Sequence, residues 1–141
     1  ELGAALLAHR LDDIVQGRIE AAAQDNALAT YAPLIKKNAG LLDWQRSSTE
    51  LDRHIRAMTP WPGAFSSWRG KNVKILGARP TLEQVPSEKP GQLFVDQDAL
   101  LVHTGDGCLR LDRLQLAGKK AMSAADFLRG RPDFADTILG A

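Results

Sequence analysis

The spacing of hydrophobic and polar residues changes along the chain from a helical period to a strand period. From Leu2 to Gln16 the apolar residues recur at intervals of three and four, which is typical of an amphipathic helix. Gly17 predicts the end of this helix, because glycine readily adopts the left-handed conformation that closes one. Residues 18–40 show no clear period and have the composition of a linker. The helix has no obvious partner in the residues that follow it, so we expect its apolar face to pack elsewhere.

A second helix is predicted before the strands begin. Ser47 and Glu50 have the spacing of a capping box, in which a serine hydroxyl and a glutamate carboxylate each bond a backbone amide at a helix start. We expect the helix to cover Ser48 to Met58, and Pro60 and Pro62 prevent it from continuing. The chain therefore has one short helix directly before its strand-rich part.

From Phe65 onward the pattern favours short strands. The first two strands are expected to form an exposed hairpin, and a Pro-rich loop over residues 79–91 leads to the next pair. In the last strand the leucines change parity after Leu111, which predicts a bulge or a sharp bend near Asp112. Ser123 and Asp126 repeat the capping pattern before a short helix. The expected strands are Phe65–Trp68, Val73–Ala78, Leu93–Val95, Ala99–Val102 and Cys108–Leu116, and the helix is Ala124–Arg129.

These elements predict a mainly β protein. Five or six short strands are too few for a two-sheet sandwich of ordinary size, so we expect a small OB-like, Greek-key β-barrel. An amphipathic helix precedes it at the amino terminus, one short helix lies before the barrel, and another short helix follows it. The last ten residues are expected to be a loosely held tail.

Composition narrows the class of protein. With 141 residues, 44% hydrophobic and 25% charged, the chain resembles an ordinary soluble domain. No stretch approaches the roughly 20 apolar residues of a membrane helix, and the start lacks the order of a signal peptide. We therefore expect a cytoplasmic protein with no membrane partner. Cys108 is the only cysteine, so a disulfide within the chain is impossible, and we expect Cys108 to be a core residue.

Catalytic and metal-binding patterns are missing from the sequence. The three histidines, His9, His54 and His103, have no neighbouring ligand at metal-site spacing, and we interpret them as surface or boundary residues. No serine lies in a nucleophile motif, and neither does the cysteine. The three tryptophans could stack on bases, but we expect them to pack in or near the core: Trp44, Trp61 and Trp68.

Charge permits a polyanionic partner without requiring one. The net charge of +1 divides into −3 for residues 1–30 and +4 for the remainder. Basic side chains recur in pairs that suit a phosphate backbone, although an ordinary solvated surface explains such spacing equally well. The pairs are Lys36 with Lys37, Lys119 with Lys120, and Arg129 with Arg131.

Several runs of sequence resemble the methionyl-tRNA formyltransferase family, in the same order as in that family. Leu2–Gly17 resembles the last helix of its catalytic domain, and Ala29-Thr30-Tyr31-Ala32-Pro33 resembles its interdomain linker. Ile55–Ala64, reading IRAMTPWPGA, resembles the start of its carboxyl-terminal domain. Thr104-Gly105-Asp106-Gly107 and Leu114–Asp126, reading LQLAGKKAMSAAD, resemble its end.

The resemblance implies a domain organisation and a function. It identifies residues 1–17 as the last helix of a catalytic domain, 18–40 as the interdomain linker, 41–131 as an OB-like tRNA-binding domain and 132–141 as the tail. In that family a Rossmann-like amino-terminal domain binds 10-formyltetrahydrofolate and carries the catalytic residues, and no counterpart occurs in these residues. We therefore expect a non-catalytic part of the enzyme that binds no cofactor itself and docks initiator methionyl-tRNA beside that domain. The resemblance implies phosphate contacts for Lys37, Lys119, Lys120 and Arg129, assisted by Lys36 and Arg131.

Two alternatives remain. Related formyltransferases act on a nucleotide sugar or hydrolyse formyl folate, and their similar carboxyl-terminal domains have no tRNA partner. A free-standing OB protein that binds single strands would need aromatic residues on its exposed strand faces, where this chain offers only Phe65, Trp68 and Phe94.

Overall fold

The structure, a computed structural model, describes residues 1–81 and 89–140 and divides into two compact units, residues 1–33 and 34–141. In the first unit, α1 covers Leu2–Val15 and a short 3₁₀ helix covers Asn26–Leu28. Gly17, at φ +66°, follows the end of α1, as predicted. No residue of α1 is buried, so its apolar face lies open.

The second unit begins with a 3₁₀ helix, Lys37–Gly40, and with α2, Ser48–Ala57. The predicted capping box is present at the start of α2: Glu50 N donates to the Ser47 hydroxyl, and Ser47 N donates to the Glu50 carboxylate. At the other end of this unit, α3 covers Ala124–Gly130 and is capped by Ser123. A last 3₁₀ helix covers Pro132–Phe134. In the described part of the chain, no helix has both the length and the apolar composition needed to cross a membrane.

Six antiparallel strands form one curled sheet. The strands are β1 Phe65–Trp68, β2 Lys71–Pro80, β3 Leu93–Asp96, β4 Ala99–His103, β5 Cys108–Leu116 and β6 Met122–Ser123. Their order in the sheet is β1-β2-β5-β4-β3, and β6 pairs with Arg113 and Leu114 of β5 on the side opposite β2. Since β3, β4 and β5 follow one another by hairpins and β2 returns beside β5, the arrangement is a Greek key. The predicted barrel-like fold is confirmed.

The first hairpin is not exposed, contrary to expectation. β2 is longer than predicted and lies between β1 and β5, with Val73 and Ile75 fully buried. Its pairing with β5 could not be read from neighbouring residues, because the two strands are distant in sequence. Arg79 and Pro80 of the expected Pro-rich loop belong to β2, and residues 82–88 of that loop lie outside the described residues.

The predicted bulge at Asp112 is confirmed. In the pairing of β2 with β5, Ala78 faces Leu111 and Gly77 faces Arg113, so Asp112 has no cross-strand partner on β2. The extra residue reverses the parity of the strand. Leu109 and Leu111 before the bulge, and Leu114 and Leu116 after it, can therefore all point into the core.

The expectation of a loosely held tail is wrong for the described residues 132–140. Phe134 and Leu139 are buried in the core. Leu93 N donates to Thr137 O and Leu139 N donates to Gly91 O, both at 2.8 Å, while Gly140 N donates to Ser67 O at 2.9 Å. Residues 137–140 thus join the β3 edge of the sheet to the β1 edge and close the barrel.

Candidate nucleic-acid interface

The 3₁₀ helix that begins at Lys37 packs against the chain just before β1. A Cβ on Gly40 would lie 2.1 Å from the carbonyl oxygen of Gly63, so a glycine is required at this contact. Leu42 N donates to Phe65 O at 2.9 Å and holds the following residues beside β1. Lys36 and Lys37 are exposed at the start of this helix. The segment that carries Lys36 and Lys37 is therefore held against the barrel by the close contact of Gly40 with Gly63 and by a backbone hydrogen bond to β1.

A third lysine reaches the same place. Lys74 is exposed on β2, between buried Val73 and Ile75, and its Nζ lies 3.5 Å from the position that a Cβ on Gly63 would occupy. The sequence reasoning missed Lys74, because the pairing of β1 with β2 had to be known before its neighbours could be. We call Lys36, Lys37 and Lys74 the junction patch.

The pair Lys119 and Lys120 lies in the turn after β5. Lys119 N donates to Leu116 O at 2.9 Å, and the side chain of Gln115 donates to Lys119 O at 2.8 Å. Ala117 N donates to Asn72 O at 3.0 Å, which brings the turn beside exposed Lys71. We call Lys71, Lys119 and Lys120 the turn patch.

One row of the sheet connects the two patches. Phe65 on β1 pairs with Lys74 on β2, which pairs with Gln115 on β5. Cross-strand partners point to the same face, and adjacent strands are about 4.8 Å apart. The outer face of β2 and β5 therefore carries Lys74 and, about one strand spacing away, the glutamine that holds the turn of Lys119.

The structure does not bring Arg129 and Arg131 into this row. Arg129 is ion-paired with Asp126 and lines a shallow depression that also contains Asp98. The Ser123 hydroxyl, followed by the charge of Arg129, holds the pKa of Asp126 below its ordinary value. The guanidinium of Arg131 lies 5.2 Å from the centre of the Phe127 ring. Both arginines thus have partners within their own helix region.

The charge around the patches is uncompensated among the described residues. Every ion pair between the described residues is formed by an arginine, and none is formed by a lysine. The patches lie in three runs of sequence that contain no Asp or Glu: residues 26–42, 53–82 and 113–125. Such acid-free runs are a sequence signal that would have identified Lys71 and Lys74.

The remaining candidate groups have structural surroundings. Cys108 is buried, as predicted, and its Sγ lies 3.7 Å from Nδ1 of His103. His103 is buried, contrary to the expectation of a surface or boundary histidine, and stacks on Phe94. His54 Nε2 lies 2.7 Å from the carbonyl oxygen of Ala39. Within residues 1–81 and 89–140, no group of three His, Cys, Asp or Glu side chains could hold a metal ion.

The tryptophans divide into two kinds. Trp44 and Trp68 are buried as predicted, and Trp44 donates to the Ser66 hydroxyl at 3.0 Å. The prediction that Trp61 packs is wrong, since 61% of its surface is exposed. The flanking prolines indicated an ordered segment, but they carry no information about which way the ring points.

The fold defines a small barrel-like domain that carries lysines on its outer face. The chain belongs to the formyl transferase C-terminal domain family, whose model matches residues 34–132. It is 39% identical over 139 residues to the methionyl-tRNA formyltransferase of Desulfotalea psychrophila, covering 99% of this chain and 43% of that protein. It is 38% identical over 139 residues to that of Bacillus subtilis, covering 98% and 44%. The chain thus spans about two fifths of the length of these relatives.

Solved structures share the fold. The crystal structure of HypX from Aquifex aeolicus in complex with tetrahydrofolic acid matches with a TM-score of 0.62 and 22% identity, covering 86% of this chain and 22% of that one. A HypX variant matches with a TM-score of 0.65 and 21% identity, covering 92% and 23%. At this identity the likeness concerns the fold alone.

Proposed function

We propose that this chain is the carboxyl-terminal, tRNA-docking part of a methionyl-tRNA formyltransferase. It would hold initiator methionyl-tRNA in the cytoplasm while a Rossmann-like catalytic domain of the same protein transfers the formyl group. In this proposal residues 1–17 are the last helix of that catalytic domain, 18–40 the linker and 41–131 the tRNA-binding domain. The names of the relatives that match nearly all of this chain support the assignment.

The observation that carries the proposal is the two lysine patches, which Lys74 and Gln115 connect along the outer face of β2 and β5. The junction patch and the turn patch face solvent, and none of their lysines forms an ion pair among the described residues. Phosphate binding releases counterions and requires such uncompensated cations along a track. We therefore assign the main phosphate contacts to Lys36, Lys37, Lys74, Lys119 and Lys120, assisted by Lys71.

Arg129 and Arg131 have a smaller part in this proposal. A phosphate at Arg129 would have to displace its ion pair with Asp126 and would approach Asp98. Arg131 keeps its charge available over the ring of Phe127, at the other end of α3 from the turn patch. We propose that these two arginines contact the tRNA at the periphery of the interface, outside the two lysine patches.

The formyl donor, 10-formyltetrahydrofolate, does not fit the residues described here. A depression along α1 in the first unit is lined mainly by apolar side chains, and Arg10 is the one charged residue in its lining. A pterin ring requires convergent hydrogen-bond donors and acceptors to orient it. We assign donor binding to the catalytic domain.

Titration of the chain with labelled initiator methionyl-tRNA tests the proposal, with fluorescence anisotropy as the signal at low and moderate salt. We expect saturable binding that weakens with salt, since phosphate contacts give dissociation constants of about 10⁻⁴ to 10⁻⁶ M at physiological salt. The double variant Lys119→Ala, Lys120→Ala should weaken binding and lower the salt slope by about two, because each lysine contributes about one.

The matched control removes the same charge from ion-paired residues. Arg10 and Arg18 both pair with Asp13 in the first unit, and Arg10→Ala, Arg18→Ala should leave the salt slope unchanged. An equal loss in both double variants would mean that only net charge matters. Absence of binding even at low salt would contradict the proposal. It would favour the alternative that the chain belongs to a related formyltransferase that acts on another substrate.

A further inference from the structure

The side chain of Trp61 is exposed on an ordered loop. Trp44 and Trp68 are 5% and 6% exposed, whereas Trp61 is 61% exposed. Gly63 N donates to Met58 O at 2.8 Å and closes the loop, and the Thr59 hydroxyl donates to Ile55 O at 2.9 Å. Pro60 and Pro62 restrict φ at two further positions. A large ring held in this way loses little conformational freedom when it binds a ligand.

The same loop ends within the junction patch. The carbonyl oxygen of Gly63 packs against Gly40 in the helix that begins at Lys37, and the Lys74 side chain lies within 4 Å of the position that a Cβ on Gly63 would occupy. Two residues span at most about 7 Å of extended chain, so the backbone of Trp61 lies within that distance of Gly63. The residue that carries the exposed ring is therefore a near neighbour of the junction patch along the chain.

The charge around this ring selects the class of ligand. The two segments that meet at Gly63 lie in runs of sequence, residues 26–42 and 53–82, that contain no Asp or Glu. A ligand that suits both features needs negative charge for the lysines and a flat ring for the indole. A nucleotide has both, whereas an acidic peptide or an anionic lipid surface supplies only the charge.

We propose that Trp61 is a stacking platform for an unpaired base of the RNA partner, with the adjoining phosphates bound by Lys74 and Lys37. This inference rests on the proposed function and adds the kind of nucleotide that is bound at the junction patch. Bases inside a duplex are already stacked on each other, so Trp61 distinguishes unpaired nucleotides from paired ones.

Intrinsic tryptophan fluorescence tests this directly, because Trp44 and Trp68 are buried. The 141-residue chain is titrated with a short single-stranded oligoadenylate and with a blunt-ended RNA duplex of equal phosphate number. We expect the oligoadenylate to quench emission in the unmodified chain and not in Trp61→Tyr. The duplex should bind with salt dependence and little quenching.

Affinities separate stacking from charge. Trp61→Leu should weaken oligoadenylate binding about tenfold, within the range measured for base–aromatic stacking, while Trp61→Tyr stays within about threefold. Duplex binding should be unchanged in both. Lys74→Gln should weaken both ligands, because it removes a phosphate contact. Thermal unfolding of each variant checks that the exposed substitutions leave the fold intact.

Equal oligoadenylate affinity for the unmodified chain, Trp61→Tyr and Trp61→Leu would overturn the inference. Salt-dependent binding of initiator methionyl-tRNA in that case would leave the proposed function standing. If the unmodified chain bound neither oligoadenylate nor initiator methionyl-tRNA, the inference and the proposed function would both be overturned. Binding of oligoadenylate through Trp61 without binding of tRNA would support the inference and contradict the proposed function.

Discussion

At the scale of single residues, two glycines of one turn have different reasons for being there. Gly105 N donates to Arg46 O at 2.9 Å, which joins the β4–β5 turn to the segment before α2. A Cβ on Gly105 would lie 1.9 Å from the carbonyl oxygen of Gln45. A Cβ on Gly107 would meet nothing within 4 Å. Only Gly105 is required by a close backbone approach.

This difference predicts unequal effects of the same substitution. Gly105→Ala should lower the free energy of unfolding by about 1–3 kcal/mol, because the backbone of Gln45 must move to admit the methyl group. Gly107→Ala should change it by less than about 1 kcal/mol. Urea denaturation of the two variants measures both values, and equal effects would mean that the turn does not contact Gln45 in solution.

Some residues of the candidate interface could be predicted from the sequence, and others could not. Lys119 and Lys120 adjoin each other in sequence, so the turn patch was visible as a pair. Lys74 joins the junction patch only through the pairing of β1 with β2 and through contact with Gly63. Trp61 was misjudged because side-chain direction in a loop depends on tertiary contacts. Local pairs can be read from a sequence, whereas clusters assembled by strand pairing cannot.

At the scale of elements, the capping box of α2 makes stability depend on pH. The pKa of Glu50 is lowered from its ordinary value, first by a hydrogen bond from Arg46 and then by the backbone amide of Ser47. A carboxyl group with a lowered folded pKa contributes stability above its unfolded pKa of about 4.3. That contribution is lost as the pH falls through the folded pKa.

Glu50→Gln should therefore reduce the free energy of unfolding at pH 7, and the difference from the unmodified chain should shrink between about pH 5 and pH 3. Denaturation in urea at several pH values within this range provides the measurement. The control Glu20→Gln removes an exposed carboxylate that forms no ion pair among the described residues. A difference for Glu50→Gln that stays constant with pH would show that its carboxylate does not sustain the cap.

Element positions were predicted well where the signal is local. The serine caps at Ser47 and Ser123 placed two helices, and the parity change of the leucines placed the bulge at Asp112. Pairing of β2 with β5 joins residues that are distant in sequence, and no local pattern encodes it. The same limitation hid the closing role of residues 137–140, since a segment of four residues is too short to show a period.

At the scale of the whole molecule, the barrel is closed by the segment that resembled a tail. Residues 137–140 bond to Gly91 and Leu93 on one edge and to Ser67 on the other. Phe134 packs against Trp68 and Phe127, with ring centres 5.1 and 4.7 Å apart. The folding unit therefore extends beyond residue 132, where the match to the family ends.

A chain that ends at Pro132 should consequently fail to form a stable barrel. It would lose the buried side chains of Phe134 and Leu139, and truncation of one large core side chain alone costs about 2–5 kcal/mol. Since whole domains are stable by only about 5–15 kcal/mol, the loss of both side chains and of the edge bonds should unfold most molecules at room temperature. A chain that ends at Gly140 is the matched control and should melt like the unmodified protein. Circular dichroism with thermal melting compares the two, and a cooperative transition at an unchanged temperature for the shorter chain would mean that the sheet is stable without its closing segment.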